Sequence, residues 1–189
     1  MHALMSARPA SFDDPTPIND TDGTYLRQAI AWSRVARERG NRPFGAVVVA
    51  DDGRVLAEAW CNTSETGDCT GHAETNAVRQ LSPVVDRETL SRATLYSSAE
   101  PCVMCAGAIY WANIGRVVYG MTEHRLLELT GDASENPTMN LPCREVFARG
   151  QKPIEVIGPV AAMEEDIAAL HRGFWRGAHG VGLTAPSFT

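Results

Sequence analysis

The sequence lacks any run approaching the roughly 20 consecutive apolar residues that a membrane span requires. Its first twenty residues, MHALMSARPASFDDPTPIND, lack the apolar core of a secretory leader. A cytoplasmic protein with no membrane partner is therefore expected. Basic charge is in short supply: 17 Lys and Arg stand against 23 Asp and Glu, for a formal net charge of −6 and a pI near 5.3. Grip on a nucleic acid backbone rests on basic surface, and the longest basic cluster here, RVARER at 34–39, contains an acid. A polyanionic partner is disfavoured. Cysteine is scarce, five in all, with two spaced C-x-x-C. An odd count with that spacing points to metal or redox chemistry rather than a disulfide framework. Internal repeats, low-complexity segments and linkers are absent, which argues against a second domain.

What is present is ordinary globular material. At 189 residues, 44% hydrophobic and 21% charged, the chain is expected to bury roughly 70% of the surface its unfolded form exposes. Residues 1–20, with three prolines and three aspartates, are expected to form a flexible arm ahead of a single domain over 21–189. Leu26, Ala29, Ile30, Ser33 and Ala36 recur at helical spacing up to Gly40. FGAVVVA at 44–50 and RVLAEAW at 54–60 flank DDG and predict a β-hairpin. A polar loop over 61–70 leads to a helix running from near His72 to before Pro83. ATLYSSA at 93–99 predicts a strand, and EPCVMCAGAIYWAN a helix introduced by Pro101. RVVYGM at 116–121 and IEVIGPV at 154–160 predict two more strands, with helical patterns in HRLLELT and CREVFAR between them. Met163, Ile167, Leu170 and Phe174 give the last helix an apolar face. Strand–helix alternation behind an antiparallel hairpin implies an α/β fold, a three-layer α/β/α sandwich around a mixed five-stranded sheet.

TGHAETNAVR at 70–79 puts His72 and Glu74 two positions apart in the first turn of a helix. Alone, this reads as a capped turn whose acid favours the positive end of the helix dipole. About thirty residues on, PCVMC sets Cys102 and Cys105 at another helix start, three apart and on one face, where thiolates are favoured. One His and two Cys supply three ligands for tetrahedral zinc, one ion per chain, and leave a fourth position for water whose pKa falls to about 7. Glu74 can then hold and shuttle that water's proton without binding the metal. Other uses of these residues stand beside this one. Cys69, three before His72, can close a Cys₃His structural site in which Glu74 has no role. CVMC can serve thiol redox chemistry, which leaves H-x-E unexplained, and a non-catalytic domain can keep zinc for stability alone.

H-x-E followed by P-C-x-x-C is the signature of zinc deaminases. HAE at 72–74 and PCVMC at 101–105, together with NRPFGAVVVADDG, SSAEPCVMCAGAIYWA and RVVYGM, resemble the cytidine-deaminase-like superfamily in its nucleobase and tRNA-adenosine branch, over about residues 24–175. The resemblance implies hydrolytic deamination of an amino-heterocycle, with Glu74 acting first as base and then as acid while ammonia leaves. It implies substrate contacts from the backbone N–H of Ala73, from Asn62 in AWCNTSET and from Phe44 in RPFGA. On their own, Asn62 also reads as a loop-capping amide and Phe44 as strand core. Ser98 to Glu100 are within reach of the metal, while Glu100 also suits the start of its own helix. His171, Phe174 and Trp175 in ALHRGFW either close over the pocket, as C-terminal segments do in the nucleobase branch, or pack as core. Tyr110 and Trp111 read as core, and Cys61 and Cys143 as small apolar residues. His2, His124 and His179 receive no role.

GAIYWA resembles guanine deaminases, which carry an acid shortly after the strand that here is RVVYGM. In TEHRLLE, Arg125 stands where that acid is expected, with Glu123 and Glu128 nearby. Members of the branch also take cytosine, amino-triazines or the anticodon adenosine of tRNA. The acidic pI argues against tRNA, and the insertion GDASENPTMNLPC at 131–143 adds no basic grip. The expected partner is a small free base or nucleoside, guanine-type or cytosine-type. The branch forms dimers through helices beside the active site, so the resemblance implies a homodimer.

Overall fold

The computed structural model describes residues 18–131 and 136–175; most of the expected arm (1–17), part of the insertion (132–135), His2 and His179 lie outside the described residues. Helix α1 (Asp20–Glu38) starts at Asn19, whose Oδ1 accepts the Asp22 N–H at 2.8 Å, and it buries Leu26, Ala29, Ile30, Ser33 and Ala36 as one stripe. Strands β1 (Gly45–Val49) and β2 (Val55–Trp60) form the antiparallel hairpin. The loop expected after it holds a single-turn helix, α2 (Thr63–Thr66), before α3 (Ala73–Leu81). A further short helix, α4 (Arg87–Arg92), is capped by Asp86 and precedes β3 (Thr94–Ala99). Helices this short carry too few turns for hydrophobic periodicity to show them.

The chain continues through α5 (Val103–Ala112), β4 (Arg116–Met121), α6 (Glu123–Thr130), α7 (Cys143–Ala148), β5 (Glu155–Ile157) and α8 (Ala161–His171). β5 is shorter than IEVIGPV suggests; Gly158 and Pro159 follow it, and proline has no N–H to continue a ladder. Phe174 lies beyond the end of α8 rather than on it.

The five strands order as β2-β1-β3-β4-β5, with β1 antiparallel to both neighbours and β3, β4 and β5 parallel. Side chains alternate across this sheet. Val48, Leu95, Val117 and Tyr119 pack with Ala77 and Leu81 of α3, Ile109 of α5 and Phe147 of α7. Val47, Tyr96 and Val118 pack on the other face with Leu26 of α1, Leu126 of α6 and Ile167 of α8. The result is the three-layer α/β/α sandwich. Both faces of β1 are covered, and all five of its residues are buried. At Gly45 a Cβ would lie 2.2 Å from the Ala29 carbonyl oxygen, so glycine is what lets α1 seat against the hairpin. Helices α5 and α6 follow the carboxyl ends of parallel strands β3 and β4, the end of an α/β sheet where ligands bind.

Candidate active site

Helices α1, α4 and α6 begin conventionally, with Asn19, Asp86 and Thr122 accepting a backbone N–H from the first turn. Helices α3 and α5 do not. Their cap positions hold His72 and Cys102, and neither side chain makes a cap hydrogen bond. They face one another instead: His72 Nδ1 stands 3.6 Å from the sulfur of Cys102 and 3.6 Å from that of Cys105. Zinc–nitrogen and zinc–sulfur bonds in a tetrahedron set nitrogen–sulfur edges of roughly 3.6 Å, so the donor set fits one such ion. The three ligand atoms lie within 4.8 Å of one another, and Cys69, which is exposed, is not among them.

The two thiols share their protons unequally. Contacts from Cys105 and His72 pull Cys102 down to about 4, whereas the neighbouring Cys102 and burial push Cys105 well up. The same contact with Cys102 raises His72. A cation at this point favours thiolate on both sulfurs. At Gly71, just before His72, a Cβ would lie 2.4 Å from Asn62 Oδ1, so a side chain there would displace the Asn62 amide.

Glu74, 5% exposed, is held by both oxygens: Ser97 Oγ donates to Oε1 at 2.7 Å and the Cys105 thiol to Oε2 at 3.3 Å. Burial, helped by the charge of Cys102, pushes its carboxyl up, which suits a group that takes and returns a proton near neutral pH. Ala73, fully buried, opens α3 between ligand and acid.

His72, Glu74 and Cys102 line a small cavity, partly open to solvent, together with apolar Phe44 and Leu126 and polar Glu100, Glu123 and Asn136. Phe44 and Glu100 are thus on the same cavity as His72, Glu74 and Cys102. Asn62 is not: it lines a different depression beside Trp60, and its Oδ1 accepts from Asn76 Nδ2 at 2.9 Å. Ser98 is fully buried, and its Oγ accepts the Gly45 N–H at 3.2 Å; the preceding Ser97 is the one that reaches Glu74. A step of one along a strand changes the face.

Trp175 sits behind the cavity. Its ring centroid is 6.3 Å from that of Phe44, and it stacks on His171, which is 5.2 Å from Phe44. Trp175 Nε1 donates to His171 Nδ1 at 3.3 Å. The Arg37 guanidinium donates to the carbonyls of Ala169, Leu170 and Arg172 and ties the end of α8 to α1. The segment backs Phe44 rather than lining the cavity.

Glu123 is the main residue that sequence reasoning overlooked. It opens α6, is 6% exposed, and burial among the negative Cys102, Glu100 and Glu74 pushes its carboxyl up to about 8. Arg125 pairs outward with Glu128 and Glu164. The acid on the cavity is therefore Glu123, two positions before Arg125. Thr122, whose Oγ1 accepts the Arg125 N–H at 2.9 Å, is the cap signal that locates it.

A family model described as the cytidine and deoxycytidylate deaminase zinc-binding region matches residues 19–121. A probable cytosine deaminase of Schizosaccharomyces pombe is 39% identical over 162 residues, spanning 86% of this chain and 97% of the relative. A guanine deaminase of Bacillus subtilis is 41% identical over 102 residues, 53% of this chain and 64% of its own length. A solved structure from work on A-to-I editing by tRNA:A34 deaminases superimposes with a TM-score of 0.61 at 33% identity, covering 78% of this chain and 99% of that one.

Proposed function

Because the chain belongs to the cytidine and deoxycytidylate deaminase family, we propose that it is a zinc-dependent aminohydrolase of free nucleobases or nucleosides, cytosine-type ahead of guanine-type. One observation carries the reading: two sulfurs stand 3.6 Å from His72 Nδ1, and the buried Glu74 carboxyl lies beside them on one small cavity. His72, Cys102 and Cys105 would hold zinc, which would supply a water with a pKa of about 7. Glu74 would carry the two protons of that water in turn, one to the ring nitrogen and one to the amine, which would leave as ammonia while the water's oxygen becomes the ring carbonyl. Ser97 keeps the carboxyl aimed during both transfers. As the first residue of α3, Ala73 has an N–H with no intrahelical acceptor, free to donate to a ring carbonyl. Phe44 packs on the ring, and Glu123 meets an amine or ring N–H edge.

The cavity beside the metal-ligand corner is small. Its acidic lining and the net charge of −6 favour a neutral ring over a phosphate-bearing one. The near full-length similarity to the Schizosaccharomyces pombe relative supports the cytosine-type choice. Glu123 keeps guanine-type second. Likeness to the tRNA:A34 deaminase structure favours tRNA adenosine as a further reading, which the scarcity of basic residues opposes.

The test is ammonia release by zinc-loaded protein from cytosine, guanine, their nucleosides, amino-triazines and tRNA, with Glu74→Ala as control. Release from cytosine that disappears in the variant is expected. No release from any compound supports a non-catalytic zinc domain, and release from tRNA alone supports the editing reading.

A homodimer is part of the proposal. Helix α5, VMCAGAIYWA, is apolar on all sides, yet Trp111 is 75% exposed and Met104 and Ala108 are only half-buried. A helix of that kind is normally covered, and we assign the cover to a second copy. Light scattering at micromolar concentration is expected to exceed the 20.5 kDa of one chain. All described strands join one sheet, which supports a single domain. Among the described residues no helix is long and apolar enough to cross a membrane, and we place the protein in the cytoplasm.

A further inference from the structure

We propose that Glu100 is a positioning residue that holds the substrate-selecting side of the cavity against the metal-ligand corner. Glu100 is 4% exposed and stands two residues before Cys102, where β3 gives way to α5. Its partners are not side chains. Oε2 accepts the backbone N–H of Glu123 at 3.1 Å, and Oε1 accepts the backbone N–H of Cys143 at 2.9 Å. Its own N–H donates to the Met121 carbonyl at 2.7 Å, which fixes it to the end of β4.

Glu123 and Cys143 are the first residues of α6 and α7. Their N–H groups have no acceptor within their own helices and lie at the positive ends of the helix dipoles. One carboxyl thus satisfies two helix starts through charge-assisted bonds, the strong kind in a buried setting. Between those two points the chain supplies three of the cavity's lining residues: Glu123, Leu126 and Asn136. Glu100 grips that stretch at both ends. It also lines the cavity itself, beside Cys102, so the place where the metal ligands sit and the place where the ring edge is read are joined through one side chain. A carboxyl that served only the start of its own helix would bond within α5; both of its oxygens are given instead to α6 and α7.

The inference rests on the proposed function for its kinetic consequence but not for its structural one, and the experiment separates the two. Glu100→Gln keeps the size of the side chain but turns an amide NH₂ toward one of the two backbone donors. Native-state hydrogen exchange, zinc content and steady-state kinetics are measured on wild type and variant. The Glu123 and Cys143 amides are expected to exchange about ten-fold faster or more while Val117 and Val118 in β4 keep their protection. With zinc retained at one per chain, KM is expected to rise about ten-fold, kcat to stay within about three-fold, and discrimination between cytosine and guanine to weaken. Unchanged exchange at both amides overturns the proposal, as does faster exchange throughout β4, which marks a merely structural role. A fall in kcat at constant KM overturns it by placing Glu100 in the chemistry. Should wild type deaminate nothing, the functional reading fails while the exchange measurement still decides the grip. Should Glu100→Gln not fold, Glu100→Asp, which keeps the charge but shortens the reach, is expected to move the same amides in the same direction.

Discussion

The two ends of the sheet treat buried acids in opposite ways. Where β3 and β4 begin, Asp22 is 2% exposed and fully satisfied. Arg116 donates to its two oxygens at 2.7 and 2.8 Å, the Tyr96 hydroxyl at 2.8 Å and Asn19 Nδ2 at 3.0 Å. The Arg116 contact leads in holding the Asp22 carboxyl below its ordinary range. Where the same strands end, Glu74, Glu100 and Glu123 are as deeply buried, and none makes an ion pair among the described residues. Burial pushes Glu74 and Glu123 up. An acid matched to an arginine has its charge settled and serves the fold. Acids and thiols gathered at one point repel one another, and a divalent ion held by His72, Cys102 and Cys105 would relieve that repulsion.

The contrast can be broken at either end. Glu74→Gln is expected to lower turnover by about 10²- to 10⁴-fold while the thermal midpoint holds or rises, because an acid is removed from a site that does not stabilise its charge. Ammonia release and a melting curve check both halves. Asp22→Asn is expected to do the reverse, costing about 3 kcal/mol of unfolding free energy in a urea titration with kcat unchanged, since Arg116 loses its buried carboxylate. His171 supplies a smaller, pH-dependent case: a base buried without an acid, held down to about 3 by burial and by Arg37. The unfolded chain protonates this imidazole below about 6.5 and the folded chain does not until about 3. The unfolded state then binds more protons, so stability falls as pH drops through that window, by about 2 kcal/mol at pH 5. His171→Phe is expected to flatten the slope of unfolding free energy between pH 6.5 and 5. Smallest of all, Cys69→Ser is expected to change stability by less than about 0.5 kcal/mol and metal content not at all. Loss of zinc and folding together in that variant would restore the closed four-ligand site.

The cluster of His72, Cys102 and Cys105 with Glu74 beside it is legible because each motif is local: two residues apart in HAE, three in CVMC, each at a helix start. The hairpin, the parallel strands and α1 were legible from periodicity for a similar reason. What escaped depends on distance or on phase. Ser98 was preferred to Ser97 because strand pleating, invisible without the register of β3, decides which serine faces Glu74. Arg125 drew attention away from Glu123 because the start of α6 rests on the Thr122 cap, a single hydroxyl rather than a pattern. Asn136 lies in a stretch with no regular element, so nothing short of the tertiary arrangement brings it to the cavity. Of the two places the sequence leaves open for Trp175, its stack with His171 and its contact with Phe44 favour core packing.

The family match stops at Met121, and that border divides the cavity. His72, Cys102 and Cys105, which could hold a metal ion, and Glu74 beside them lie before it; Glu123, Leu126 and Asn136 lie after it. The molecule is in this sense a reaction with an exchangeable reader. On the proposed reading, Glu123, Leu126 and Asn136 could be exchanged to suit another ring while His72, Glu74, Cys102 and Cys105 stay as they are, provided the replacement returns two free amides to the carboxyl of Glu100.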